Sequence, residues 1–194
     1  MVSVSTVEDR PEQERDWPLD PASAVEAMMA AYGDFVLRLA YLHLRDRQEA
    51  EDVSQEVFLK AYRGWGAFRG QGSVRAWLAR ITVNACRDAL RRAGRRAPGG
   101  PPAVAADALP GPGCAAGEDP AEAATRRLAG DAVLSCALGL PEEIRQVVFL
   151  YYYFELSTPE IARVLGCPEG TVRSRLARGR DRLRRTLAER GWAP

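Results

Sequence analysis

The sequence predicts an all-α protein of two small helical domains joined by a flexible linker. Three observations carry that reading. Apolar residues recur at helical spacing through both halves of the 194-residue chain. A Pro/Gly/Ala-rich stretch over residues 97–120 (APGGPPAVAADALPGPGCAAGEDP) separates the halves and lacks the bulky side chains a core needs. No alternating strand pattern or hairpin signal competes anywhere. The hydrophobic content of 46% suffices for two small cores.

Residues 1–22 are acidic and proline-punctuated, and are expected to form a disordered tail. The first domain is placed at 23–96. Its first helix runs from Val25, with Val25, Met28, Met29, Tyr32, Phe35, Val36 and Leu39 on the apolar face. A second helix begins near Asp46, where Asp46 and Glu49 have capping-box spacing. Its apolar stripe is Ala50, Val53, Val57, Phe58 and Ala61. Asp52, Gln55, Glu56 and Lys60 share the opposite, polar face, which suits a protein partner or plain solvent. Gly64, Gly66, Gly70 and Gly72 mark a loop. Ser73 can cap a third helix with Val74, Trp77, Leu78, Ile81 and Ala85 on one face, stopping before Gly94.

The second domain is placed at 121–190. Pro141, Glu142 and Glu143 suit a helix start. Ile144, Val147, Val148 and Tyr151 form that helix's apolar face. Ser157 and Glu160 form a capping box. The segment Thr158–Leu176 (TPEIARVLGCPEGTVRSRL) then reads as a helix-turn-helix. Ala162 is small where helices cross, Gly166 supplies the turn, and Val172 and Leu176 plug the second helix onto Ile161 and Leu165. That second helix should enter a major groove with Thr171, Arg173, Ser174, Arg175 and Arg178 outward. The plainer alternative is an αα-hairpin with an arginine-rich surface.

Charge is segregated although the net charge is only +1. Residues 63–96 carry nine arginines against Asp88 alone, and residues 169–190 carry eight against three acids. Two basic blocks on motif-bearing helices imply two contacts with a polyanion. In the first block, Arg80, Asn84, Arg87, Arg91 and Arg92 lie near the aromatics Trp65, Phe68 and Trp77, a mixture that can hold unstacked single-stranded bases. Lys60 is the only lysine among 27 basic residues, so arginine preference by itself says nothing about phosphate.

Other classes are disfavoured. Cys86, Cys114, Cys136 and Cys167 are widely spaced and His43 is the lone histidine, so neither a metal site nor a disulfide framework is expected. No residue set suggests a nucleophile or an acid/base pair, so neither an enzyme nor a cofactor is expected. The acidic N-terminus has no apolar run, and no stretch nears the roughly 20 apolar residues that span a bilayer. A cytoplasmic protein without membrane insertion is expected.

These residues resemble the extracytoplasmic-function (ECF, group IV) sigma factors of bacterial RNA polymerase. Residues 25–95 are similar to sigma domain 2, through DRQEAEDVSQEVFLKAY and SVRAWLARITVNACRDALRR. Residues 121–190 are similar to sigma domain 4, through LPEEIRQVVFLYYYFELSTPEIARVLGCPEGTVRSRL. The resemblance implies that the chain binds core polymerase, on the β′ clamp helices and the β flap, and directs initiation at promoter DNA. It implies polymerase contacts at Asp52, Gln55 and Glu56. It implies −10 reading and melting by Trp65, Phe68, Arg69, Trp77, Arg80, Asn84, Asp88 and Arg91. It implies −35 reading by Thr171, Arg173, Ser174, Arg175 and Arg178. An anti-sigma factor is an implied partner. A free-standing helix-turn-helix regulator, with the first domain as sensor or dimerisation unit, is the competing reading.

Overall fold

The computed structural model describes residues 17–68, 72–94 and 133–191. It divides into two compact units. Among the described residues every regular element is helical.

The first unit is a three-helix bundle. Helix α1 spans Pro21–Leu44, α2 Arg47–Gly64 and α3 Val74–Gly94, with one 3₁₀ turn over Trp65–Ala67. Local chemistry sets each start. Asp20 caps α1 by accepting from the Ser23 amide at 2.9 Å, with Pro21 in the first turn. Arg45 adopts a left-handed φ of 59° and ends α1, and Asp46 at once caps α2 by accepting from the Glu49 amide at 2.9 Å. The Ser73 hydroxyl accepts from the Ala76 amide at 3.1 Å and opens α3.

Met28, Val36, Leu39 and Ala40 of α1 meet Ala50, Val57 and Ala61 of α2 and Leu78, Val83, Ala85 and Cys86 of α3 in a fully buried core. The alanines let the three axes approach closely. Thr82, also fully buried, donates its hydroxyl to the Leu78 carbonyl at 2.8 Å, so no hydroxyl is stranded.

Three expectations need correction. The composition predicts a disordered tail over 1–22, yet α1 starts at Pro21 and Trp17 packs on Tyr32 with ring centroids 6.0 Å apart. A capping aspartate followed by proline and an aromatic with a partner outweigh local acidity. Residues 1–16 lie outside the described part. On α3, Val74, Leu78 and Ala85 are buried as expected, but Trp77 and Ile81 are half-buried while Thr82 and Cys86 are buried, so the core face is shifted to one side of the expected stripe. On α1, Met29 is 53% exposed although it shares the apolar period.

The second unit holds a helical stretch at 133–138, then α4 (Glu142–Tyr152), α5 (Thr158–Leu165) and α6 (Glu169–Glu189). Val147, Leu150, Phe154, Ile161 and Val172 form its buried centre. Helix α6 lies close against α4 because residue 179 is glycine. A Cβ there would stand 2.5 Å from Val148 Cγ2 and 3.1 Å from Ile144 Cγ2. Leu183, one turn on, packs against Leu140, Ile144 and Val148. The expected linker at 97–120 and the helical reading from Ala121 to 132 lie outside the described residues.

Candidate DNA and polymerase interfaces

The helix-turn-helix is built as its sequence predicts. The Glu160 carboxylate, 1% exposed, accepts from the Ser157 amide at 2.9 Å and from the Ser157 hydroxyl at 2.6 Å, fixing the start of α5. Gly166 ends α5 with a φ of 67°, and the Cys167 amide reaches back to the Ala162 carbonyl at 3.1 Å, a Schellman closure. The Thr158 hydroxyl donates to Glu169 at 2.8 Å and ties the start of α5 to the start of α6. Val172 and Leu176 are buried as plugs.

The five expected base-reading residues on α6 separate. Arg173, Ser174 and Arg178 are exposed, and Thr171 is half-buried. Arg175 does not point outward as expected. Its side chain is 22% exposed and forms an ion pair with Glu143 in the first turn of α4. Arg173 pairs with Glu169 at 2.7 Å, and Arg178 reaches the Ser174 hydroxyl at 3.4 Å. The Thr158 hydroxyl first, and then Arg173, hold the Glu169 carboxyl below the usual carboxylate range.

The expected single-strand reader is a layered aromatic cluster. Trp65 stacks on Phe68 with centroids 5.3 Å apart and planes 15° apart. Phe68 lies 5.0 Å from Trp77, and Trp65 lies 6.0 Å from it. Beside them Lys60, Gly64, Ala67, Phe68, Trp77, Ile81 and Asn84 line an open groove of about 390 Å³. That volume falls within the roughly 300–1,000 Å³ of small-ligand pockets. Its walls offer aromatic faces, an amide and an ammonium, which together can stack a flat ring and hydrogen-bond its edge. Arg80, Asn84, Asp88 and Arg91 are exposed on one face of α3, and Arg91 pairs with Asp88 at 3.4 Å. Arg69 lies outside the described residues.

Sequence reasoning missed several members of this cluster. Periodicity groups Lys60 with the polar face of α2, but it lines the groove and pairs with Glu56 at 2.7 Å. Trp17 meets Trp65 edge-on at 6.4 Å, and the Trp65 indole donates to the Pro18 carbonyl at 2.9 Å. Gly64 leaves room for Trp77, since a Cβ there would meet that ring at 3.3 Å.

The polar face of α2 is also more structured than expected. Asp52 and Gln55 are exposed. Glu56 is engaged by Lys60 and, across to α3, by Arg92 at 3.4 Å. The Lys60 hydrogen bond first, against a desolvation cost, draws the Glu56 carboxyl below its ordinary range. Leu59 and Tyr62 are 58% and 50% exposed. Gln48, Asp52, Gln55, Leu59 and Tyr62 therefore form one exposed stripe at steps of four, three, four and three, the spacing by which one helix meets another. The thiol of Cys86 behaves differently from a reactive cysteine, because burial pushes it up to about 12.

Comparison with known proteins is consistent across both units. The chain matches Sigma-70 region 2 over residues 28–96 and Sigma-70, region 4 over residues 130–183. It is 37% identical to the RNA polymerase sigma-H factor of Pseudomonas aeruginosa, covering 84% of this chain and 86% of that one. It is 41% identical to the ECF RNA polymerase sigma factor SigM of Mycobacterium tuberculosis, covering 77% and 70%. It is 35% identical to the ECF RNA polymerase sigma-E factor of Escherichia coli, covering 70% and 72%. Among solved structures, the fold is similar to the sigma factor RpoE of Bartonella quintana, determined with the anti-sigma factor NepR. The TM-score is 0.65 at 21% identity, over 84% of this chain and 96% of that one. With a region 2 bundle, a region 4 helix-turn-helix and relatives matched over most of their length, the chain belongs to the ECF family of RNA polymerase sigma factors.

Proposed function

We propose that this sigma factor, which binds core polymerase and directs promoter recognition, divides that work among three surfaces. Helix α6 reads the −35 element as duplex, with Arg173, Ser174 and Arg178 facing the groove and Thr171 at its edge. Arg175 acts differently, by bracing α6 against α4 through Glu143, and reaches DNA only by leaving that pair. The groove between Lys60 and Asn84 takes an unstacked base of the −10 element, with Phe68 and Trp77 as stacking faces. Arg80, Asp88, Arg91 and the Trp65–Arg69 loop flank the same strand. Trapping that base offsets the few kcal/mol that unstacking costs. The exposed stripe of α2, with Asp52 and Gln55 beside Leu59 and Tyr62, docks on the β′ clamp helices. Glu56 supports that stripe from its pairs with Lys60 and Arg92.

The second unit meets the β flap. The work takes place in the cytoplasm, where core polymerase is. Neither a chemical step nor a cofactor belongs to the chain. An anti-sigma factor restrains it; a sigma factor of the same fold has been solved bound to one. The free-standing regulator is set aside, because both sigma regions match in order on one chain.

The observation that carries this reading is the aromatic groove on one unit together with the helix-turn-helix on the other. Run-off transcription with purified core polymerase tests it. Transcripts should share an upstream pair of short motifs. A chain that binds DNA as a dimer and never directs initiation would sink the reading.

A further inference from the structure

Trp17 and Pro18 precede α1 and lie outside the stretch that matches Sigma-70 region 2, which begins at residue 28. They nevertheless touch the centre of the aromatic cluster. The Pro18 carbonyl accepts from the Trp65 indole at 2.9 Å across 47 positions of sequence. The Trp17 ring lies on Tyr32 at 6.0 Å with planes 27° apart, and meets Trp65 edge-on at 6.4 Å. Trp65 stacks on Phe68, and Phe68 is a wall of the groove. A continuous series of contacts therefore runs from the segment before α1 to the face on which a base would stack.

The loop needs such a support. Trp65 and Ala67 sit in a single 3₁₀ turn with no buried residue, between two helices. A short turn of that kind has little intrinsic stability. Its aromatic side chains must be placed by contacts from elsewhere. Trp17 supplies ring area to this cluster and not a hydrogen bond, since its own indole N–H is buried with no hydrogen-bond partner among the described residues.

We propose that Trp17 and Pro18 form a positioning strap that holds Trp65, and through it Phe68, in the arrangement that keeps the groove ready for an unstacked base. Neither residue touches DNA; both act through Trp65. The inference rests on the reading of the groove as the −10 base site.

The test uses the full chain assembled with core polymerase on a promoter defined from its transcript 5′ ends. Two probes separate the functions. One is a fork carrying the duplex −35 element and an unpaired non-template −10 strand. The other is a duplex carrying the −35 element alone. W17A should weaken fork binding by about two- to tenfold, the worth of one aromatic contact. It should also slow permanganate detection of open thymines, while core affinity and duplex binding stay unchanged. W17F should restore fork binding, because the ring and not the indole N–H makes the contact. W65F, which lacks the donor to Pro18, should fall between W17A and the unmodified chain. F68A serves as the control for the groove itself.

If F68A weakens fork binding and W17A does not, the strap is mere packing while the groove reading stands. If W17A lowers core affinity, duplex binding and fork binding in equal proportion, it destabilises the whole unit and the proposal fails. If F68A leaves fork binding intact, the groove reading fails and the strap falls with it.

Discussion

Gly179 illustrates how one missing methyl group sets an interface. The Cβ of an alanine at 179 would stand 2.5 Å from a methyl of the buried Val148, which has little room to yield. Alanine is a better helix former than glycine by close to 1 kcal/mol, so an exposed site would gain from the change. Overpacking reverses the sign here. G179A should destabilise the second unit by about 1–3 kcal/mol, read as a lower urea midpoint of unfolding. Glu56 gives a residue-level prediction in pH. Its carboxyl is held below the ordinary value of 4.5 by Lys60. A depressed carboxylate stabilises the fold above its unfolded pKa, and that contribution is lost as pH falls through the folded value. The unmodified chain should therefore lose stability below pH 4.5 more steeply than E56Q, checked by thermal melts across an acid series. At neutral pH E56Q should be the less stable of the two, because the pairs to Lys60 and Arg92 are gone.

At the scale of the element, four capping residues were legible because they are local, although the Asp20 cap of α1, just as local, fell inside the stretch expected to be a tail. Asp46, Ser73, Ser157 and Glu160 each act within three residues, and three residues of sequence hold all the information. The buried face of α2 followed from period alone, and that of α1 did so with Met29 as an exception. The core face of α3 followed only in part, at Val74, Leu78 and Ala85, because period gives a stripe but not which neighbours cover it. Trp77 and Ile81 lie where α2 ends and the core opens into the groove. Long side chains were the other failure. A helical wheel fixes where Arg175 leaves α6, but not that its guanidinium reaches Glu143, 32 positions earlier. Trp17 was lost for the same reason, since its partner Trp65 is remote in sequence.

That distinction separates the arginines of α6. R173A and R178A should weaken −35 duplex binding, and each lost phosphate contact should lower the salt slope by about 0.9. R175A should chiefly lower the unfolding midpoint of the second unit. Filter binding across a salt series, beside urea melts, tells the two effects apart.

On the scale of the molecule, two units with separate cores each carry one DNA-reading surface. Two readers joined by one chain and one polymerase raise each other's effective concentration, so neither needs high affinity alone. The arrangement makes spacing a strict requirement. Duplex DNA turns once in about 10–10.5 base pairs. Inserting about five base pairs between the two promoter elements should turn the −35 face away and abolish run-off product, while point changes within one element should only reduce it. The division into two units was plain in the sequence, since the proline- and glycine-rich stretch has nothing to build a core. How each surface is finished was not, because Lys60, Trp17 and Arg175 complete their sites through contacts that no period describes.

The acids that hold Arg173 and Arg175 have a consequence for how this protein searches a genome. Each arginine is partly occupied before any DNA arrives, by Glu169 and by Glu143. Random DNA offers only phosphate, and must first displace a carboxylate that is already in place. The exposed Arg173–Glu169 pair is worth up to about 1 kcal/mol. That is a small toll at a true promoter, where base contacts and polymerase add to the gain. It weighs more at the far commoner wrong sites, where phosphate is all there is. On the proposed reading of α6, the recognition helix is thus partly muted toward bulk DNA, which should shorten its dwell time on the wrong sequence.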